Sequence, residues 1–373
     1  MKTKTVMIIA GDVSGDLHGS KLVRAMREKE PNLFFFGIGG KALREAGVKI
    51  LVDTTKLSVI GVTETFSKLP AFVRAMLLSR TIFKRFRPDL LILIDFPGFN
   101  LPVSALAKRY HVKVLYYIGP QVWAWRPGRV KKIRKRVDRM AVILPFEEDF
   151  FKSHRVPVTF VGHPLMDTYC SPELHKKSEE EPFDIGLLPG SREREVTHLF
   201  PVMLEAANLL RKRLQPVRFL ISVAQSVDPA VLERLIEKHA PGIECALISD
   251  GVHRVFSRCR FCIVVSGTAT LEAAVCGMPM VIIYKVSPIT YWLGRSLVKV
   301  RNIGLVNIIA GKTIVPELIQ QDASAERIAE TVCGMLQDRE GLKMLKQELA
   351  SVRNRLGGPG ASQRAAEVAL GML

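Results

Sequence analysis

No stretch of this sequence offers the roughly twenty consecutive apolar residues that a membrane-spanning helix needs. The nearest, residues 261–284, carries Glu272 and breaks at Ser266-Gly267 and at Gly277-Met278-Pro279, so it reads better as strand, helix, strand. Cysteine is sparse, six in all. The one close pair, Cys259 and Cys262, lacks the second pair that a zinc site would need and sits beside an apolar strand, which leaves two reduced, partly buried thiols. Internal repeats and low-complexity tracts are missing too. The first apolar run, residues 6–10, is too short for a signal peptide and leads directly into Gly11 and Asp12, so a cytoplasmic location is expected. Acids are in deficit: 54 Lys and Arg oppose 36 Asp and Glu, a net charge of +18 at pH 7 that suits a polyanionic partner such as nucleic acid, an anionic membrane or a phosphorylated substrate.

What remains is an ordinary globular composition, 48% apolar and 24% charged, which excludes disorder, collagen-like repeats and a coiled coil as descriptions of the whole chain. At 373 residues two domains are expected. Short apolar runs at 6–10, 33–36, 90–94, 112–117 and 140–144 alternate with glycine-rich turns and helical patterns, the signature of a parallel sheet. Residues 171–182 change character, with paired bases, a run of three acids and bounding prolines, and mark an interdomain linker. The alternation restarts at 184–188, 218–223, 245–248, 261–265 and 280–284, so two doubly wound halves are expected, residues 1–170 and 183–340. The tail, 341–373, reads as helices that pack back toward the first half, within a helical region that begins near 325.

In a doubly wound sheet ligands bind beyond the carboxyl ends of the strands, and five turns there stand out. In the first, residues 11–19, glycines recur every four residues rather than as GxGxxG. Either Asp16 or Ser14 caps the next helix, or the acids Asp12 and Asp16 take part in chemistry; the two readings are compatible. His18 has no metal-spaced companion and reads as a surface or packing residue. The second turn places Asp95 at the end of a wholly apolar strand, where partial burial raises a carboxyl pKa and makes it a candidate general base. Its alternative is a carboxylate satisfied by neighbouring amides.

The third turn joins Trp123 and Trp125 to seven bases in the eleven residues 126–136. Tryptophans in a loop suit stacking against a sugar or an acyl chain. Val130, Ile133 and Val137 form an apolar stripe that leaves Lys131, Lys132, Arg134, Lys135 and Arg136 exposed, with Arg129 just before them. This is either a solvated helix face or a surface for anionic lipid. The fourth turn, Gly190-Ser191-Arg192, opens a helix whose free N–H groups can bind a diphosphate while Arg192 forks onto its oxygens; no GKS or GKT follows, so it is not a Walker loop. Glu193 and Glu195 can simply complement the helix dipole. The fifth, Ser266-Gly267-Thr268, opens a second helix, with Glu272 placed to accept from ribose hydroxyls or else an ordinary helical acid. Finally, residues 57–86 hold more apolar groups than one core stripe needs. Phe72, Met76 and Phe83 suit the core, whereas Ile60, Val62, Phe66, Leu69 and Val73, rimmed by Lys68 and Arg74, suit a peripheral membrane patch.

Together GDVSGD, IDFPGFN, YYIGPQVWAWR, VGHPLMD, LLPGSR, SGTATLE and NIIAG, in this order over nearly the whole chain, closely resemble the lipid-A-disaccharide synthase family. The resemblance implies a GT-B glycosyltransferase: two Rossmann-like doubly wound parallel-sheet domains facing across a cleft, with C-terminal helices. It implies a UDP-2,3-diacylglucosamine donor, a 2,3-diacylglucosamine 1-phosphate acceptor and a beta-1,6 product formed with inversion. It also implies work on the cytoplasmic face of the inner membrane, with no cofactor, no metal and no nucleic acid, and it leaves a homodimer open. Asp95 matches the acid proposed as base, Gly190, Ser191 and Arg192 the diphosphate loop, Glu272 the ribose position and Asn307 a position needed for activity. Many members carry Glu where this chain has Asp12. Another UDP-sugar enzyme of the same architecture, a 2-epimerase or the peptidoglycan glucosaminyltransferase, is the nearest alternative. A basic nucleic-acid-binding protein rests on charge alone.

Overall fold

The computed structural model describes residues 3–54, 69–124, 127–169, 184–287 and 302–373. It forms two compact units, Met1–Asp167 with Leu356–Leu373, and Thr168–Arg355. Phe66, Trp125 and the linker at 171–182 lie outside the described residues, as does the side chain of Leu69.

The first unit is built on seven strands: β1 (Thr5–Ala10), β2 (Phe34–Gly39), β3 (Lys49–Asp53), β4 (Leu90–Ile94), β5 (Lys113–Tyr117), β6 (Arg139–Val142) and β7 (Val158–Phe160). They pair in parallel in the order β3-β2-β1-β4-β5-β6-β7. Helices cover both faces, which is why strands such as Leu90–Ile94 are apolar without alternation. Successive residues serve opposite faces: Met7 and Ile9 of β1 join one core cluster, Val6, Ile8 and Ala10 the other. The helix Ala361–Leu370 packs on Val13–Lys29, adding Ala365, Ala366 and Ala369 to the second cluster.

The second unit repeats the plan with β8 (Ile185–Leu188), β9 (Phe219–Ser222), β10 (Cys245–Ile248), β11 (Phe261–Val265), β12 (Met280–Tyr284) and β13 (Glu317–Ile319). Their order is β10-β9-β8-β11-β12-β13, again parallel. The helix Arg339–Arg355 belongs to this unit, so the tail expected as one block divides at Arg355 and Leu356. A reason is visible in the bonds on either side: Arg355 donates to the Ile309 carbonyl of the second unit, whereas the Leu356 carbonyl accepts from the His163 amide of the first.

In each sheet the strand order reverses once, between β1 and β4 and between β8 and β11, and at such a point neighbouring connections part and leave room for a ligand beyond the strand ends.

Candidate active site

The reversal point of the first sheet is occupied by the two acids. Ala10 and Ile94 are register partners, so Gly11-Asp12 and Asp95-Phe96 leave the sheet side by side. Asp12 caps the helix Val13–Lys29 by accepting from the Gly15 amide at 2.7 Å. Asp16, expected as a possible cap of that helix, instead turns to the helix Lys41–Glu45. Its carboxylate accepts from the Gly40 amide at 2.6 Å and the Ala42 amide at 2.8 Å, because it lies one turn beyond the cap and points across to the end of β2.

Asp95 and Phe96 both sit in the left-handed region, with φ of 42° and 47°, a conformation that costs a residue with a Cβ about 1–3 kcal/mol. The surroundings impose it. Buried Asn100 donates from Nδ2 to the Asp95 carbonyl at 2.6 Å and to the Ile94 carbonyl at 3.1 Å, and the buried Tyr116 hydroxyl donates to the Asp95 carbonyl at 2.6 Å. Gly11 makes room on the other side, since a Cβ there would lie 2.1 Å from the Phe96 ring. The carboxyl itself takes no part in these bonds. Burial first, then the charge of Asp12, push it up to about 6, against the pull of the Phe96 amide hydrogen bond. A half-buried carboxylate with that affinity for protons is equipped to accept one near neutrality.

Trp123, in the loop after β5, is half-buried; its Nε1 donates to Glu147 at 3.1 Å and its ring meets Phe146 edge-on. Val130 and Ile133 of the helix Val130–Arg136 and the following Val137 are buried, and Lys131, Lys132, Arg134 and Lys135 are exposed. Arg136 departs from the expected exposed row, being half-buried and donating to the Leu101 carbonyl at 3.1 Å. Arg129 is half-buried at the head of this helix. On the helix Leu69–Arg85, Phe83 is buried and Phe72 and Met76 pack against the core, whereas Val73 and Leu77 are 46% and 55% exposed on one face.

The reversal point of the second sheet holds a cavity of about 580 Å³. Gly190 and Ser191 line it at the end of β8, Ser266, Gly267 and Thr268 at the end of β11, and Glu272 one turn further on. Gly190 has φ 110°, which a residue with a Cβ rarely adopts, and it turns the chain into the helix Glu193–Arg213. Two helix amino ends therefore meet the cavity, each with unpaired N–H groups and a positive dipole end. Burial pushes the Glu272 carboxyl up to about 6, partly offset by a hydrogen bond from the Tyr169 hydroxyl. Arg192 is not among the lining residues: its Nη1 lies 2.7 Å from Glu195 Oε1, and its side chain is 74% exposed.

Asn307 lies elsewhere in this unit, 1% exposed and saturated with bonds. Its Nδ2 donates to Val315 and Glu317 and its Oδ1 accepts from the Ile314 and Val315 amides, while Glu317 accepts from the amides of Ile303 and Gly304. No lone pair or N–H of Asn307 is left for a ligand, so its reach is through the loops it binds.

Residues 6–370 match the family described as lipid-A-disaccharide synthetase. The lipid-A-disaccharide synthase of Geobacter sulfurreducens is 46% identical to this chain over 375 residues, covering 99% of the chain and 97% of that protein. The chain belongs to the lipid-A-disaccharide synthetase family. It is a glycosyltransferase of lipid A disaccharide synthesis. Two solved structures share its fold. The UDP-GlcNAc 2-epimerase of Neisseria meningitidis bound to UDP-GlcNAc has a TM-score of 0.66 over 98% of this chain and 100% of that one, at 11% identity. The calicheamicin glycosyltransferase CalG4 has a TM-score of 0.61 over 100% and 99%, at 15% identity. These likenesses show the GT-B fold alone; nearly half-identical disaccharide synthases, not the epimerase, fix the family.

Within the family motifs the structure also gives work to residues that sequence reasoning passed over. In VGHPLMD, His163 is buried, with burial the main cause of a pKa pushed down to about 3. Asp167 accepts from the amides of Gly360 and Ala361 at 2.6 and 3.1 Å and so caps the helix Ala361–Leu370. That motif docks the tail within the first unit. Glu147 had a legible signal, Pro145 at the first helical position with Glu two residues on, the pattern of a capped helix start. Among the described residues no group of three His, Cys, Asp or Glu is placed to hold a metal ion.

Proposed function

We propose that the chain transfers 2,3-diacylglucosamine from its UDP donor to the 6-hydroxyl of 2,3-diacylglucosamine 1-phosphate. The observation that carries the donor half is the cavity at the β8 and β11 ends, where two helix amino ends converge. The diphosphate lies against Gly190, Ser191, Ser266, Gly267 and Thr268, and Glu272 accepts from the ribose hydroxyls. Arg192 exchanges Glu195 for a diphosphate oxygen when UDP enters, and balances the charge that develops as UDP departs.

Asp95 is the base. It takes the proton of the acceptor hydroxyl while that oxygen bonds to the anomeric carbon and the bond to the UDP oxygen breaks, so one displacement inverts the alpha donor to a beta product. Asp12 holds the Asp95 proton affinity high, and Asn307 acts at a distance by fixing the loops at 303–304 and 314–317.

The acyl chains and the anionic inner-membrane surface supply the partner for the exposed bases. A groove of about 380 Å³ lined by Lys131, Arg134, His154 and Arg155 has no acid in its walls, and Val73 and Leu77 add an apolar stripe beside Arg74. No helix among the described residues is long and apolar enough to cross a membrane. The test is incubation with both diacylated substrates: appearance of the disaccharide 1-phosphate with UDP supports the assignment. Turnover of simple UDP-GlcNAc without disaccharide would transfer the chain to the epimerase reading.

A further inference from the structure

Glu147 is 2% exposed, and its two carboxylate oxygens are divided between two partners. Oε2 accepts from the Leu144 amide at 3.1 Å, closing the amino end of the helix Pro145–Ser153. Oε1 accepts from Trp123 Nε1, also at 3.1 Å, and Phe146 braces the same indole with ring centroids 4.7 Å apart. The helix start needs only the first of these bonds. The second reaches across 24 residues of sequence into the loop that follows β5.

That loop is fixed at its base to the proposed catalytic acid. The Asp95 amide donates to the Ile118 carbonyl at 3.1 Å, and Ile118 itself is left-handed with φ 56°. Further along, Arg129 exerts its charge on Tyr116, whose hydroxyl holds the Asp95 carbonyl. Between these points Val122, buried in the core, and the Trp123 indole, bonded to Glu147, anchor the loop to the body of the unit. Burying a carboxyl is costly, and an apolar residue would fill the space without that cost. Burial pushes the Glu147 carboxyl up to about 7; the groups that face it are the Leu144 and Ile143 amides and the Trp123 indole.

We infer that Glu147 is a positioning residue for the transfer reaction: by gripping the Trp123 indole it fixes residues 118–124, whose Ile118 carbonyl accepts from the Asp95 amide, and so shapes the acceptor side of the site. The inference rests on the reading that the acceptor is activated at Asp95.

The experiment combines a readout free of turnover with a kinetic one. In a background carrying Trp125→Phe and Trp292→Phe, emission comes from Trp123 alone. Its intensity should titrate with a midpoint near 7, and Glu147→Gln should abolish that titration. In the otherwise intact enzyme, Glu147→Gln and Trp123→Phe should each raise acceptor KM about tenfold with kcat and donor KM within about threefold of normal. The double variant should be no worse than Trp123→Phe alone, because both act on the same bond, which the weaker amide acceptor of Gln loosens and Phe, having no N–H, abolishes. A titration that persists in Glu147→Gln, an unchanged acceptor KM, or additive effects in the double variant overturns the inference. Should Glu147→Gln not fold, Trp123→Phe alone decides, since it removes the donor and still leaves an aromatic ring against Phe146. The fluorescence arm does not involve Asp95, so it separates a failure of this inference from a failure of the assigned base.

Discussion

The side-chain amide of Asn100 donates to the carbonyl oxygen of Asp95 at 2.6 Å, across one turn of the helix that Asp95 precedes. The bond serves the backbone of the acid and does not engage its carboxyl. It stabilises a peptide whose residues on both sides are left-handed, and it does so from a side chain that is itself wholly buried. Asn100→Ala should therefore cost about 1–3 kcal/mol of stability, by leaving a buried carbonyl short of a donor, and should lower kcat more than it raises either KM. Urea denaturation and steady-state kinetics on the same preparation check both parts. Intact turnover in a destabilised variant would separate Asn100 from the geometry of the base.

Asp95→Asn should retain the fold and UDP binding and lose about 10²–10⁴-fold in kcat, the usual contribution of a positioned base. It should also be the more stable protein at neutral pH. The folded-state pKa of about 6 lies above the ordinary carboxyl value of 3.8, so the folded protein holds this proton more tightly than the unfolded chain does. Stability then falls as pH rises between those two values, by up to roughly 3 kcal/mol, and the amide escapes the loss. Parallel melting curves at pH 4 and pH 7.5 should show the variant's advantage only at the higher pH.

Asp12→Asn isolates charge from capping. Asn caps a helix about as well as Asp, so the Gly15 amide stays satisfied and the helix Val13–Lys29 is undisturbed. What disappears is the negative charge that helps raise Asp95, so the acid limb of kcat/KM, expected near pH 6 in the parent, should move to lower pH. Asp12→Ala should shift the limb equally and in addition lose about 1 kcal/mol of stability. A limb that stays in place in Asp12→Asn would mean that burial alone sets the Asp95 pKa.

The sequence carries the frame of both units because buried parallel strands are written as unbroken apolar runs. Ten of them are legible, down to Leu90–Ile94, and β3, β7 and β13 are not. All three lie at sheet edges, where Leu318 is the one buried residue among them, and charged or polar residues such as Lys49, Asp53, Thr159 and Glu317 break their apolar runs; β10, also at an edge, is legible because Cys245–Ile248 is apolar throughout. In the site, glycine turns and an acid ending an apolar strand are local features and could be read directly. The Asn100 and Tyr116 bonds to Asp95, the engagement of Arg192 by Glu195 and the saturation of Asn307 are side-chain geometry. Such bonds depend on which rotamers the packed unit allows, and spacing along the chain does not encode them.

Arg192 and Glu195 form an exposed pair, worth no more than about 1 kcal/mol. Glu195→Gln should release Arg192 for the diphosphate and remove a negative charge from the cavity wall, tightening UDP several-fold. Arg192→Ala should weaken UDP about tenfold or more, because a charge-assisted bond to phosphate is lost. Calorimetric titration with UDP measures both. Equal affinity in the parent and in Arg192→Ala would exclude Arg192 from the diphosphate site.

Association with membranes can be separated into its electrostatic and apolar parts. Lys131, Lys132 and Lys135 are exposed, and a base near an anionic bilayer contributes about 1 kcal/mol. Reversing all three to Glu should therefore reduce partitioning onto vesicles rich in anionic phospholipid by about a hundredfold or more, and the parent's own partitioning should fall as salt is raised. Val73 and Leu77 lie one helical turn apart and expose apolar surface, so Val73→Ser with Leu77→Ser should weaken binding to a similar degree at every salt concentration, through lost insertion. Neither set touches Asp95 or the cavity at the β8 and β11 ends, so turnover of short-chain, water-dispersed substrates should be unchanged in both. If the charge-reversed protein partitions as the parent does, the bases around the helix Val130–Arg136 are merely solvated, and the net charge of +18 needs another partner.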